Sequence, residues 1–323
     1  MARVGQVRVS GELLRQVVEA EGQRVLALTA SEQLRPGWTS EDCRTTTPEG
    51  RELRRVYVGA DALSLITDVE KEARLRKVRE KRQKSGKKAR ALGRRKKGAD
   101  QRWKEVKAVT FYSEDMKHRQ TSVTGGNCDA LGRVMRRDAE NLEFHRAEER
   151  VGNVDGGPWI IRQLDKRLNT SAVGLDFYHL GQNAHKTRKI IFGEKSPLGE
   201  KWIGELLHGV KHEGYERMWN DLLELRKTLR GAKRKEVDRL INYVSDRRGM
   251  VRYPEFISKG WSRRAGSSGP MESQCRVLSD RVRGSGMRWD ADNAEAVMAL
   301  EAMEQSHQWP QYWKIAMLGL VTK

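Results

Sequence analysis

The three cysteines of this 323-residue chain, Cys43, Cys128 and Cys275, form no C-x-x-C pair. That excludes a zinc ribbon and gives no disulfide framework, so a reducing cytoplasm is the expected compartment. No N-terminal segment joins a basic start to an apolar core, and no run of about 18 apolar residues is present. We therefore expect neither a signal peptide nor a membrane partner. No internal repeat is present, which argues against a solenoid. Negative charge is also short: 44 Asp and Glu stand against 63 Lys and Arg, a net charge of +19. Such an excess points to a polyanionic partner, most simply nucleic acid.

The basic excess is local. From Glu70 to Lys107 there are 18 basic and 5 acidic residues, an excess of 13. Phosphate contact is the functional reading of this run, supplying affinity without sequence choice. A solvated disordered loop or an RNA-binding arm are its rivals. Hydrophobic residues make up 37% of the chain, enough for a real core in one large domain or two ordinary ones.

Patterning along the chain predicts an α/β fold. "QVRV" reads as a short strand, and Ser10 as the cap of a helix over "GELLRQVVEAEG"; residues 26–52 are turn-rich. "VYVGAD" (56–61) is a continuous apolar run that suits a strand buried on both faces. The basic excursion follows, helix-forming at its start. Residues 104–112 and 117–124 then read as a hairpin around "SEDM". Leu131, Val134, Met135 and Leu142 have helical spacing, and Pro158 is placed for the first turn of another helix after a strand and an aspartate. "TSAVGLDFYH" (170–179) reads as a third buried strand. Residues from about 180 to 250 read as nearly all helical, and a final helix starts near 291. Short strands joined by helices predict a sheet with an added hairpin.

Three apolar strands end in or near an aspartate: Asp61, Asp155 and Asp176. Ligands of open α/β sheets gather beyond strand ends, although an aspartate there often only caps the next helix. Capping is the weaker reading for Asp155, because the glycines before Pro158 are better placed. It is also weaker for Asp61, because no helix begins at Ala62. Glu272 follows the Gly-Pro turn of "GSSGPMESQCR". With Pro270 as the first helical residue, Met271, Cys275, Leu278 and Val282 fall within about 60° of one another, and Glu272 about 90° from the centre of that stripe. A first-turn glutamate gains from the helix dipole whether or not it binds a metal. Two aspartates and a glutamate converging at sheet ends would suit divalent metal ions, and a positive field beside them would suit a nucleic-acid substrate.

"VYVGAD", "RVGNVDGGPWI", "LDFYH", "GSSGPMESQCR" and "RVRGSGMRW", in this order, resemble the core of DDE-type bacterial insertion-sequence transposases, with the Kra group the nearest likeness. The resemblance runs from about Arg35 to Trp313. It implies a ribonuclease-H-like mixed sheet with flanking helices and an all-helical insertion before the third acidic residue. The chain would divide into an N-terminal region (1–52), a first core part (53–179) with the basic excursion at 70–104, the helical insertion (180–255) and a C-terminal core part (256–323). Asp61, Asp155 and Glu272 would be the catalytic, metal-binding triad, holding two Mg²⁺ or Mn²⁺ ions. His179 would orient the scissile phosphate or a triad carboxylate, against a reading as a helix-start or core histidine. The implied activity is cleavage of transposon ends and strand transfer into target DNA, by a homodimer or higher oligomer acting on double-stranded DNA in the bacterial nucleoid. A structure-selective nuclease of the same fold and an inactive, DNA-binding descendant are the alternatives. The sequence departs from the pattern at Ala62, where glycine is expected. About 50 residues precede the first acidic strand, so end recognition is expected to be abbreviated or supplied otherwise.

The DNA contacts expected are Arg82, Lys84, Lys87, Lys88, Arg94, Arg95, Lys96 and Lys97 in the basic run, and Arg283, Arg288 and Trp289 near "GSGMRW". Trp289 reads equally as a packing anchor. Trp202 and Trp219, on amphipathic helices, read first as core and second as platforms for an unstacked base.

Overall fold

The computed structural model describes residues 2–4, 7–66, 69–86, 103–261, 268–285 and 287–321. Strands β1 (Ala2–Val4) and β2 (Val7–Val9) pair with each other, and helix α1 (Gly11–Ala30) follows, capped by Ser10 Oγ accepting from Leu13 N. The helix therefore runs through the first residues of the segment expected to be turn-rich. Residues 26–30, "LALTA", hold no turn residue and continue the helix, which Val25 anchors under α11 (Ala291–Gln305); the turn signals begin only at "RPGW".

Strand β3 (Arg44–Thr46) makes a short hairpin with β4 (Glu52–Ile66). After α2 (Val69–Lys84), β5 (Trp103–Tyr112) and β6 (Arg119–Thr124) continue an antiparallel meander from β4. Helix α3 (Cys128–Asn141) then leads to β7 (Glu149–Val154), and α4 (Pro158–Arg167) to β8 (Ala172–Leu175). Strand β7 lies parallel to β4, and β8 parallel to β7. The result is a mixed six-stranded sheet in the order β6-β5-β4-β7-β8, with β3 attached to β4. The α/β expectation and the hairpin around "SEDM" both hold.

Strand β4 is central, and its alternation divides the core. Val56, Val58 and Ala60 join Val109 and Phe111 beneath α3 and α4, where Leu131, Met135, Ile160 and Leu164 are fully buried. Leu63 and Leu65 lie on the other face with Val106 and Ala108, under α10 (Gly269–Val282) and α11. Arg55 is 1% exposed, yet its guanidinium meets Glu149 Oε2 at 2.6 Å, Glu114 Oε2 at 3.0 Å and the carbonyls of Lys259 and Gly260, each at 3.0 Å. A buried cation survives only with such full pairing.

Helices α5 (Phe177–Phe192), α6 (Pro197–Glu213), α7 (Tyr215–Thr228) and α8 (Gly231–Ser245) form the expected helical block, joined to the first core face through Leu180, Ile203, Leu222 and Leu240. The short α9 (Tyr253–Ser258) precedes α10. Trp202 packs on Phe192 with ring centroids 5.3 Å apart, and Trp219 stacks on Tyr215 at 5.6 Å, so both tryptophans serve the core of the block.

Three boundaries differ from expectation. Strand β4 does not end at Asp61: residues 62–66 go on pairing with 103–107. Strand β8 stops at Leu175, and "FYH" is the first turn of α5, because Asp176 caps a helix there. The C-terminal helix is two helices, α11 and α12 (Trp309–Val321), separated where His307 takes φ 55° and Pro310 opens the next turn. Among the described residues, no helix is long and apolar enough to cross a membrane.

Candidate active site

The pairing of β4 with β7 sets Val58 opposite Gly152, and Asp61 and Asp155 each lie three residues further along. Successive side chains of a strand alternate between faces, so both aspartates share the face of Gly59 and Asn153. Helix α10 crosses this face closely: a Cβ on Gly59 would stand 3.0 Å from Met271 Cβ and 3.4 Å from Asn153 O. Glycine here lets α10 approach the sheet one step before Asp61.

Asp155 follows β7 directly, and its Oδ1 accepts from Gly157 N at 2.8 Å. Gly157 is the cap of α4, so Asp155 is free of capping duty, as its sequence position predicts. Gly156 between them has φ 86°, a conformation other residues rarely take, and a Cβ there would strike Leu175 and Arg247. Arg247 fixes this turn: its Nε donates to Gly156 O at 3.0 Å, and its guanidinium lies over the Tyr243 ring, 4.1 Å from the centroid. The helical block thus reaches back to hold the loop that carries Asp155.

The apolar stripe of α10 is as predicted. Met271, Cys275, Leu278 and Val282 are all buried, with Met271, Leu278 and Val282 each stabilising by about 1.5–3 kcal/mol at most. Glu272 flanks the stripe, with its side chain 46% exposed. Asp176, the third strand-end aspartate, is 3% exposed and spends both oxygens on the protein. Oδ1 accepts from His179 N at 2.9 Å; Oδ2 accepts from Ser268 N at 2.6 Å and lies 3.0 Å from Ser268 Oγ. One carboxylate therefore ties the start of α5 to the start of α10. Ser268 Oγ is also 2.6 Å from Glu272 Oε1, and its single proton serves one carboxylate at a time.

His179 completes the group, with Nε2 3.1 Å from Glu272 Oε1. An ionised carboxylate only accepts, so Nε2 carries the proton. Ligand-type atoms of Asp176, His179 and Glu272 lie within 4.8 Å of one another, the one such trio among the described residues. Asp61 and Asp155 stand outside this trio, but Asp61 feels both Asp155 and Glu272. Its carboxyl is pushed above the ordinary aspartate range, first by burial and then by those two negative charges. The N–H of Ala62, 2.6 Å from Oδ1, and the Cys275 thiol oppose the shift by donating to the carboxylate. Burial and the neighbouring Asp61 also push the Cys275 thiol far up, so it stays protonated and able to donate. Among the described residues, no lysine or arginine forms a salt bridge with Asp61 or Asp155. Carboxylates left together without cations are what a hard divalent ion needs, so the residue set fits one.

The DNA-contact expectations divide. Arg82 and Lys84 are exposed in the last turn of α2; Lys87, Lys88 and Arg94–Lys97 lie outside the described residues. Arg283 and Arg288 are exposed beyond the end of α10. Trp289 is partly buried, donates from Nε1 to Val282 O at 2.8 Å and packs on the α10–α11 core. Its contacts are those of the packing anchor. Ala62 lies in the strand opposite Lys107, and its backbone needs no positive φ, so alanine fits without strain. Sequence reasoning missed Ser268, Tyr243 and Arg247, and read Cys275 only as part of the apolar stripe. Only Ser268, just before the Gly-Pro turn, carried a local signal, that of a helix cap.

No family model matches the chain, and no characterised protein matches it in sequence.

Proposed function

We propose that this chain is a DNA transposase that cuts transposon ends and transfers the 3′-hydroxyl into target DNA, using a ribonuclease-H-like core. The observation that carries the reading is the convergence of Asp61, Asp155 and Glu272, from two parallel strands and one crossing helix, with the charges of Asp155 and Glu272 both acting on the buried Asp61 carboxyl. The antiparallel meander followed by two parallel strands is compatible with such a core, as is the four-helix block before Glu272. The net charge of +19 suits double-stranded DNA.

Asp61, Asp155 and Glu272 would hold the divalent ions. Mg²⁺ or Mn²⁺, two per site, would lower the cost of charge on the attacking and leaving oxygens. Asp155, braced by Gly157 N, and Asp61, braced by Ala62 N, present oxygens on one face of the sheet. His179 orients Glu272 through Nε2. The exposed Arg283 and Arg288, beyond the end of α10, would contact the DNA backbone. Two ends must be joined, so the active form is a dimer or larger assembly.

The test is a nicking and joining assay on supercoiled and transposon-end DNA with Mn²⁺. Wild type is expected to nick and to form joined products. Asp155→Asn keeps the Oδ1 acceptor for Gly157 N, so it should fold and bind DNA while losing at least about 100-fold in cleavage, more than an outer-shell change costs. Nicking without joined products would point to a nuclease. DNA binding with no nicking by wild type would refute the enzyme.

A further inference from the structure

Helix α5 presents two faces. His179 and Asp176 point its N-terminal turn into the carboxylate group, while Tyr178, next in sequence, is 66% exposed on the outside. The Tyr178 ring stands edge-on to His179, with centroids 6.2 Å apart. From Tyr178 a groove of about 670 Å³ runs along α5 past Gln182, Lys186 and Ile190, with Leu207 of α6 as its far wall. Gly181 forms the floor: a Cβ there would meet only Leu207 Cδ1, at 3.9 Å. Ile190 at the far end is 45% exposed.

This lining mixes an exposed aromatic ring and aliphatic walls with lysines and His185. Among the described residues, no carboxylate forms a salt bridge with Lys186 or His185. Lys189 pairs only at the surface, with Glu194 Oε1 at 3.2 Å. An apolar floor alone would suit many partners; cations along its rim select a polyanion with flat apolar groups. A duplex hides its base faces, whereas a single strand exposes them for stacking while its phosphates reach the lysines. The distance from Tyr178 to Ile190 is about 18 Å at 1.5 Å per helical residue. That is the length of about five stacked bases at 3.4 Å.

We propose that the Tyr178–Ile190 face of α5 binds single-stranded DNA leaving the carboxylate site, stacking a base on Tyr178 and holding phosphates at Lys186 and Lys189. The proposal rests on the reading of that site as one that cuts DNA. It deepens it by assigning a path to an unpaired strand, a role neither Trp202 nor Trp219 has the exposure to fill.

The experiment measures binding of the full chain to fluorescein-labelled 15-nucleotide single strands, DNA and RNA, and to a blunt duplex of the same sequence. EDTA is present, so no cleavage contributes. Tyr178→Ala should weaken single-stranded DNA binding about tenfold, and Tyr178→Trp should keep it. Gly181→Leu fills the groove and should weaken it at least as much. Leucine favours a helix interior over glycine, so this variant is expected to keep its melting temperature. Duplex binding should change less than about twofold in each, and Lys186→Gln should flatten the salt dependence. Single-strand binding unchanged in both Tyr178→Ala and Gly181→Leu would overturn the proposal; so would equal losses on duplex, or a groove that prefers RNA. Plasmid nicking with Mn²⁺, run beside this, separates the two readings. Nicking that persists while the groove variants bind normally sinks only the groove. Absent nicking with groove-dependent binding sinks only the cleavage.

Discussion

Replacing Asp176 with alanine removes the one carboxylate that joins α5 to α10. Three contacts go at once: the α5 cap at His179 N, the Ser268 N–H at 2.6 Å and the Ser268 hydroxyl at 3.0 Å. Losing a helix cap costs about 0.5–2 kcal/mol, and leaving the buried Ser268 N–H without a partner about 1–3 kcal/mol. The sum, about 1.5–5 kcal/mol, should lower the melting temperature by roughly 2–7 °C for a chain of this size. Ser268→Ala deletes only the hydroxyl and should cost about 1 kcal/mol. Asp176→Asn keeps one oxygen for His179 N but turns an amide donor toward Ser268 N, so it should fall between the two. Thermal and urea denaturation of the three variants order them. Glu272 would lose its neighbour's support as well, so Asp176→Asn should cut Mn²⁺-dependent nicking by about 10–100-fold and need more Mn²⁺. A melting shift for Asp176→Ala no larger than that for Ser268→Ala would refute the assignment of Asp176 as the tie between the helices.

Asp61→Asn should stabilise the protein while abolishing nicking. The native carboxyl titrates above its unfolded value of about 4, so the folded state binds the extra proton between the two values. Wild-type stability therefore falls as pH rises from about 4 to the raised native value and then stays level; asparagine removes that slope. Above the window the variant should melt higher than wild type in melting curves taken across pH. Arg55→Met leaves Glu149 and two carbonyls without their buried cation and should cost about 3 kcal/mol by urea denaturation, with Glu149→Leu added recovering part of the loss.

Local pattern carried the parts of the fold that depend on neighbours in sequence. The apolar run at 56–61 made a central strand, because a strand flanked on both sides buries both faces. The spacing of Met271, Cys275, Leu278 and Val282 fixed which side of α10 meets the sheet, and hence that Glu272 stands at its edge. The glycines before Pro158 released Asp155 from capping. What local pattern missed was set partly by partners far along the chain. Strand β4 runs past Asp61, with Leu65 opposite Lys104; the alternation of Leu63 and Leu65 with Ala62 and Ser64 is a strand pattern, and the reading of 56–61 stopped short of it. Capping stood open for Asp176 in sequence, and it does cap α5; only Ser268, 92 residues away, made it an anchor as well.

The sequence by itself determined the composition of the site: three acidic residues on apolar elements, in a strongly basic chain, with Glu272 placed by helical periodicity. The tertiary structure decided their relations. The parallel register of β4 and β7 set Asp61 level with Asp155, the missing side chain of Gly59 let α10 close over them, and Asp176 with Ser268 fixed where that helix begins. Periodicity is a property of adjacent residues and can be read along the chain. Charge repulsion, register and helix crossing depend on distances between segments about 90 residues apart or more, which only folding brings together.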